Sequence, residues 1–144
     1  MIAGLTVSVI AAGLAVAVHI AIFVLESVLF TRPSVRRLFG VRPSDDSAPL
    51  RVFARNQGVY NLGLALVVGA GVVLILAAPW GERAGAEQGA IGAAVLVAGC
   101  AVMLLAALTL VVTAPRLWRA AAVQGAPPLV AIGALLFGGS VPLG

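Results

Sequence analysis

The stretch AGLTVSVIAAGLAVAVHIAIFVLESVL, residues 3–29, decides the fold. It is longer than the roughly 20 residues a helix needs to cross the hydrocarbon layer of a bilayer. Only His19 and Glu26 in it can ionise. Three more apolar runs follow, at about residues 56–78, 89–113 and 127–141. The whole chain of 144 residues is 62% hydrophobic and 10% charged, with a mean hydropathy of +1.15. A soluble domain is nearer half apolar and a quarter charged, and a soluble core of this composition would leave wide greasy patches in water. Period-two alternation is missing, and only helices or closed barrels satisfy their backbone inside lipid. The expectation is an all-α, four-transmembrane-helix bundle forming a single integral membrane domain, residues 1–144. The last run is short for a span and needs thinned lipid or cover from its neighbours. The first run lacks a basic leader and is too long for a signal-peptide core, so it reads as a retained helix. No lipidation motif is present.

Charge sets the threading. All nine cations are arginine. The first connection, residues 31–55, carries Arg32, Arg36, Arg37, Arg42, Arg51 and Arg55 against Asp45 and Asp46. The third, residues 115–126, carries Arg116 and Arg119, while the middle one has only Arg83 with Glu82 and Glu87. Four spans put connections one and three on the same side, and the positive-inside rule makes that side cytoplasmic. Both termini then face the extracytoplasmic side, in a multi-pass protein of the cell inner (plasma) membrane. Trp80 and Trp118 fall just outside spans, where an aromatic belt is expected. The net charge of +4 is explained by topology, and no nucleic-acid partner is expected. The basic stretch at residues 32–40 reads either as a solvated loop drawn to anionic lipid or as a short surface helix with Val35, Leu38 and Phe39 dipping inward. Residues 43–46 read as a turn or helix start.

The polar residues within the spans carry the functional question. His19 lies near mid-depth, and Glu26 follows two turns later on the same face, about 10 Å along the axis. The pair can line one groove. An ionised carboxylate at a helix centre costs about 2.5–3.5 kcal/mol, less toward the interface, so such groups point to function by default. In an antiparallel hairpin Arg55 can meet Glu26. Gln57 and Asn61 share one face of the second span, Asn56 and Tyr60 the adjacent one, and Gln124 borders the fourth span on the same side. Each also has a plainer explanation: Asn56 as a helix cap, Tyr60 as an interfacial aromatic, His19 as an interhelical hydrogen bonder, Glu26 with Arg55 as a structural ion pair, and residues 124–128 as a turn opening a helix. Gly92 and Gly99 share a face suited to close helix packing.

The spacing His-x6-Glu at His19 and Glu26, the run Asn-Gln-Gly-x-Tyr-Asn at residues 56–61 and the Gln-Gly-x-Pro-Pro at residues 124–128 resemble the bacterial membrane family catalogued as domain of unknown function 1304. The resemblance covers nearly the whole chain and implies a small four-helix membrane protein, with no activity attached. Arg55-x-Gln57-x3-Asn61 is also loosely similar to the second-helix region of the membrane-associated eicosanoid and glutathione metabolism family. The acidic residue after the Asn is absent here, so that likeness concerns the fold alone.

Three functions follow as expectations. The first is a cytoplasmic-side pocket that binds or converts a small amphiphilic molecule, with His19 and Glu26 as catalytic candidates. Arg55, Asn56, Gln57, Tyr60, Asn61 and Gln124 would be its ligand-binding residues. The second is a proton-coupled exporter, similar to the small multidrug transporters, built on Glu26. The third is a non-catalytic membrane assembly protein, with membrane lipid as partner and a homo-oligomer compatible with the abundant Gly and Ala. No metal or cofactor is expected: one His, one Cys and five acidic residues make no ligand cluster, and nucleotide and hydrolase motifs are missing. Cys100, the single cysteine, reads as a small buried hydrophobe.

Overall fold

The computed structural model describes residues 3–138 and contains no strand among them. Helix α1 covers Ala3–Phe23 and runs directly into a wide π-helical turn at Val24–Val28. A short helix α2, Pro33–Leu38, lies in the first connection. Helices α3 (Ala48–Leu76), α4 (Arg83–Thr113) and α5 (Trp118–Phe137) complete the chain, the last entered through a 3₁₀ turn at Pro115–Leu117. Four of these segments, of 26, 29, 31 and 23 residues, are long and apolar enough to cross a membrane. At 1.5 Å per residue even the shortest spans about 35 Å, enough for a hydrocarbon layer of about 30 Å.

The helices form a four-membered bundle. α1 packs against α3 and α5, α4 packs against the same two, and α1 and α4 are diagonal. Leu5, Ala12, Ala15, Val68, Ile75, Leu96, Cys100, Met103 and Ala131 make its core. Lipid is as apolar as these side chains, so close packing rather than water exclusion holds the helices together. The α3–α4 seam shows how. Gly71 and Gly92 face each other so closely that a methyl group on Gly92 would sit 2.9 Å from the carbonyl oxygen of Gly71. Gly99 faces Val68 in the same seam, so the small-residue face expected on α4 serves contact within the chain. Cys100 is fully buried, as expected. Ile10, Leu14, Leu66, Val73, Ile91, Leu105 and Val112 point outward, as lipid-facing residues should. At the end opposite the arginine-rich connections, Ser8 Oγ donates to the carbonyl of Ala131 at 2.8 Å and ties α1 to α5. Trp80 Nε1 donates there to the Ile75 carbonyl.

Helix limits depart from the apolar runs, for local reasons. α3 begins eight residues before Asn56, because Ser47 caps it by accepting from the amide of Leu50 and Pro49 occupies its first turn. Asn56 is therefore inside a helix and not at its cap. α4 likewise starts at Arg83 rather than near residue 89, with an exposed Arg83–Glu87 pair on its first turns. Pro127 and Pro128 lie within α5 instead of opening it. Neither proline has an N–H, so the carbonyls of Val123 and Gln124 lack their usual helical donors. Residues 139–141 of the expected last span lie outside the described residues.

The first connection is ordered around Asp46. Arg51 donates to it through Nε at 2.9 Å and Nη2 at 2.8 Å, and Arg36 of α2 approaches at 3.1 Å. Val35 is buried and Phe39 packs on Phe30, with ring centres 5.9 Å apart. Leu38 stays exposed. Of the two readings of residues 32–40, a solvated loop or a short helix, the helix is the one present, with two of its three apolar residues turned inward. The turn at residues 43–46 is a 3₁₀ turn at Pro43–Asp45.

Candidate functional site

The polar centre of the bundle lies where α1 ends against α3. The wide turn at Val24–Val28 is closed by the amide of Leu29 donating to the carbonyl of Val24 at 3.0 Å, a five-residue step. Such turns insert one extra residue into a helix and recur at functional sites. Here the turn carries Glu26 and Ser27 toward α3. Ser27 Oγ donates to the carbonyl of Arg55 at 3.0 Å. Gly58 makes this approach feasible: a methyl group there would land on Ser27 Oγ and lie 3.0 Å from Cβ of Glu26. With that register set, Asn61 is the α3 residue level with Glu26. Its Nδ2 donates to Glu26 Oε2 at 3.0 Å and also to the carbonyl of Gln57 at 3.1 Å. Glu26 and Asn61 are both half-buried.

This differs from the pairing expected of the sequence. Arg55 does not meet Glu26: its contact with α1 is through its backbone carbonyl, and its side chain is exposed. Six residues separate Arg55 from Asn61, about 9 Å along the helix, so the register that serves Asn61 carries Arg55 past the carboxylate. Gln57 contributes its carbonyl, while its side chain is exposed, as are those of Asn56 and Tyr60. Gln124 is half-buried on α5, one turn before the tandem prolines.

His19 has a different setting. It is 1% exposed, on the stripe that also carries Ala12 and Ala15. Its Nδ1 donates to the carbonyl of Ala15 at 2.9 Å, a bond within its own helix. A carbonyl can only accept, so this contact places the proton on Nδ1. The imidazole is sealed in the bundle, whereas the Glu26 carboxylate faces α3 across a partly open seam.

Two participants escaped the sequence reading. Ser27 adjoins Glu26 but is a common residue in apolar helices, where it usually bonds its own backbone. Gly58 sits inside the Asn-Gln-Gly-x-Tyr-Asn run, and the signal for its role was there: a glycine between polar residues on an otherwise strong helix marks a close approach.

The site unites the motifs of the chain unevenly. Glu26, Gly58 and Asn61 come together, Arg55 enters through its backbone, and Asn56 and Tyr60 decorate the outer surface of α3. No curated protein and no solved structure matches the chain significantly. The motif residues nevertheless fall inside one family match, over residues 13–136, and by that match the chain belongs to the family described as protein of unknown function (DUF1304).

Proposed function

We propose that this membrane protein binds a small amphiphilic molecule at the α1–α3 seam, with Glu26 and Asn61 as the polar centre. The observation that carries the reading is the half-buried carboxylate of Glu26, inside a spanning segment and held by the Asn61 amide at 3.0 Å. Maintaining a carboxylate there costs free energy that an apolar residue would not. The wide turn at Val24–Val28 carries it toward α3, together with Ser27. Arg55, Asn56, Gln57 and Tyr60 are exposed on α3 near Glu26 and would supply donors for a headgroup, with Arg55 suited to an anionic one. Gln124 borders the same end from α5. In this reading the arginine-rich end faces the cytoplasm of a plasma membrane, and both termini face away from it. The reading is binding rather than conversion. A ligand reaching the imidazole of His19 would first have to part the helices that cover it, so His19 is read as a packed residue of the bundle interior.

The test is native mass spectrometry of the full chain released from a mild detergent. Wild type is expected to retain a bound amphiphile of defined mass, and Glu26→Gln with Asn61→Leu to lose it while remaining helical. Equal retention by the double variant, or no discrete adduct on wild type, would remove the seam as a binding site.

A further inference from the structure

Eight arginines lie on the α1–α3 and α4–α5 connections and the adjoining helix turns, and they fall into two classes. Arg36, Arg42 and Arg51 are spent on Asp45 and Asp46, in pairs of 2.8 to 3.1 Å. Arg32, Arg37, Arg55, Arg116 and Arg119 are exposed and make no ion pair among the described residues. The acidic residues of this end thus leave five guanidinium groups unneutralised.

Two of the five flank one turn of the fold. Gly40 follows α2 with φ +71°, a left-handed turn that glycine adopts freely. Arg116, from the far side of the sequence, lies over this turn: a methyl group on Gly40 would be 3.5 Å from both its Nε and Nη2. Arg37 is in the last turn of α2, and its carbonyl accepts from the Gly40 amide at 3.0 Å. Arg119 is the second residue of α5, its guanidinium 5.5 Å from the ring centre of Trp118. Leu38, Phe53 and Trp118 are exposed at the same end. Apolar side chains interleaved with free arginines match the boundary between acyl chains and headgroups.

From this juxtaposition we propose that Arg37 and Arg116, which flank the Gly40 turn, form the centre of a docking face for anionic phospholipid headgroups of the adjacent leaflet. The phosphate oxygens suit the planar donor fork of arginine. The proposal is independent of the Glu26–Asn61 reading, because none of the five side chains bonds to either residue.

The experiment uses the full chain in mixed micelles, titrating phosphatidylglycerol into phosphatidylcholine and following thermal unfolding. Wild type is expected to gain stability saturably with phosphatidylglycerol. Each basic residue near an anionic surface contributes about 1 kcal/mol, so Arg37→Gln with Arg116→Gln should raise the half-saturating fraction roughly 30-fold. The Lys pair at the same two positions keeps the charge and should retain most of the response. Arg83→Gln, at the other end of the bundle, should behave as wild type. Inorganic phosphate at matched concentration should not reproduce the gain. The proposal is overturned by a flat wild-type titration, by a Gln pair that titrates like wild type, by an equal loss in Arg83→Gln, or by an equal gain with inorganic phosphate. A Gln pair that does not fold leaves the decision to the wild-type titration, the phosphate arm and the Lys pair, whose complete loss of response would also overturn it.

Discussion

Replacing Gly58 with alanine adds one methyl group where α3 closely approaches the end of α1. That carbon would meet Ser27 Oγ directly, lie 3.0 Å from Cβ of Glu26 and lie 3.1 Å from the backbone nitrogen of Ser27. The hydroxyl can rotate away, at the loss of its bond to the Arg55 carbonyl. The backbone nitrogen belongs to the wide turn and cannot move without moving α1. Overpacking of this kind costs about 1–3 kcal/mol. Losing the Ser27 bond adds roughly 0.5–1.5 kcal/mol. Alanine recovers about 0.5–1 kcal/mol of helix propensity over glycine. The balance is a destabilisation of roughly 0.5–4 kcal/mol. Gly63 supplies the internal control on the same helix, since a methyl group there meets nothing within 4 Å. Gly63→Ala should be neutral or stabilising by the propensity difference alone. Both variants would be unfolded thermally and with denaturant in one detergent, with wild type alongside. If Gly58→Ala proves as stable as Gly63→Ala, the close contact between α1 and α3 is not as described, and the register that pairs Glu26 with Asn61 falls with it.

Ser8→Ala should lower stability by roughly 1 kcal/mol, the usual net value of one buried hydrogen bond, through loss of the bond to the Ala131 carbonyl; chemical denaturation in detergent measures it, and no change would mean that the hydroxyl bonds its own helix instead. Hydrogen bonding from Arg51, with partial desolvation opposing and the charges of Arg36 and Arg51 assisting, holds the Asp46 carboxyl below its ordinary range. A depressed carboxylate contributes stability above its unfolded pKa of about 4 and loses it as pH falls through the lower folded value. The clamp between α2 and α3 should therefore hold at pH 5–7, weaken as pH falls below about 4 and open once pH passes below the lowered folded value, raising amide exchange at residues 33–47, corrected for intrinsic rates. Asp46→Asn should show the open pattern already at pH 6, and protection unchanged in both cases would refute the clamp.

The number of long spanning helices was legible because lipid imposes one requirement, a run of apolar residues, that sequence displays openly. The limits of those helices were less so. Hydropathy falls at Arg51, Arg55 and Asn56, but a helix stops where its backbone loses donors or gains a cap, and that was decided at Ser47 and Pro49. Pro127 and Pro128 resemble a helix start, yet the helix had already begun at Trp118, where the preceding 3₁₀ turn supplied the entry. For the site, residue type drew attention to Glu26 and Asn61, which the fold brings to 3.0 Å of each other. Charge complementarity pointed to Arg55, and there it misled. Partner choice in a hairpin depends on register, and register was set by Ser27 and Gly58, two small residues with no charge to advertise themselves. The wide turn that offers Glu26 to α3 leaves no trace in apolar spacing, since every neighbour of Glu26 except Ser27 is aliphatic.

Chain length is more forgiving at Val24–Val28 than anywhere else in α1. Deleting one residue from the regular part of that helix would swing all preceding side chains by about 100° and point Leu5, Ser8 and Ala12 out of the bundle. Within the wide turn, the same deletion would only tighten a five-residue step to the ordinary four. The flanking faces would keep their phase, and what would be forfeited is the outward bow that delivers a carboxylate to its amide. The protein thus has a position where a one-codon change edits the site and spares the scaffold.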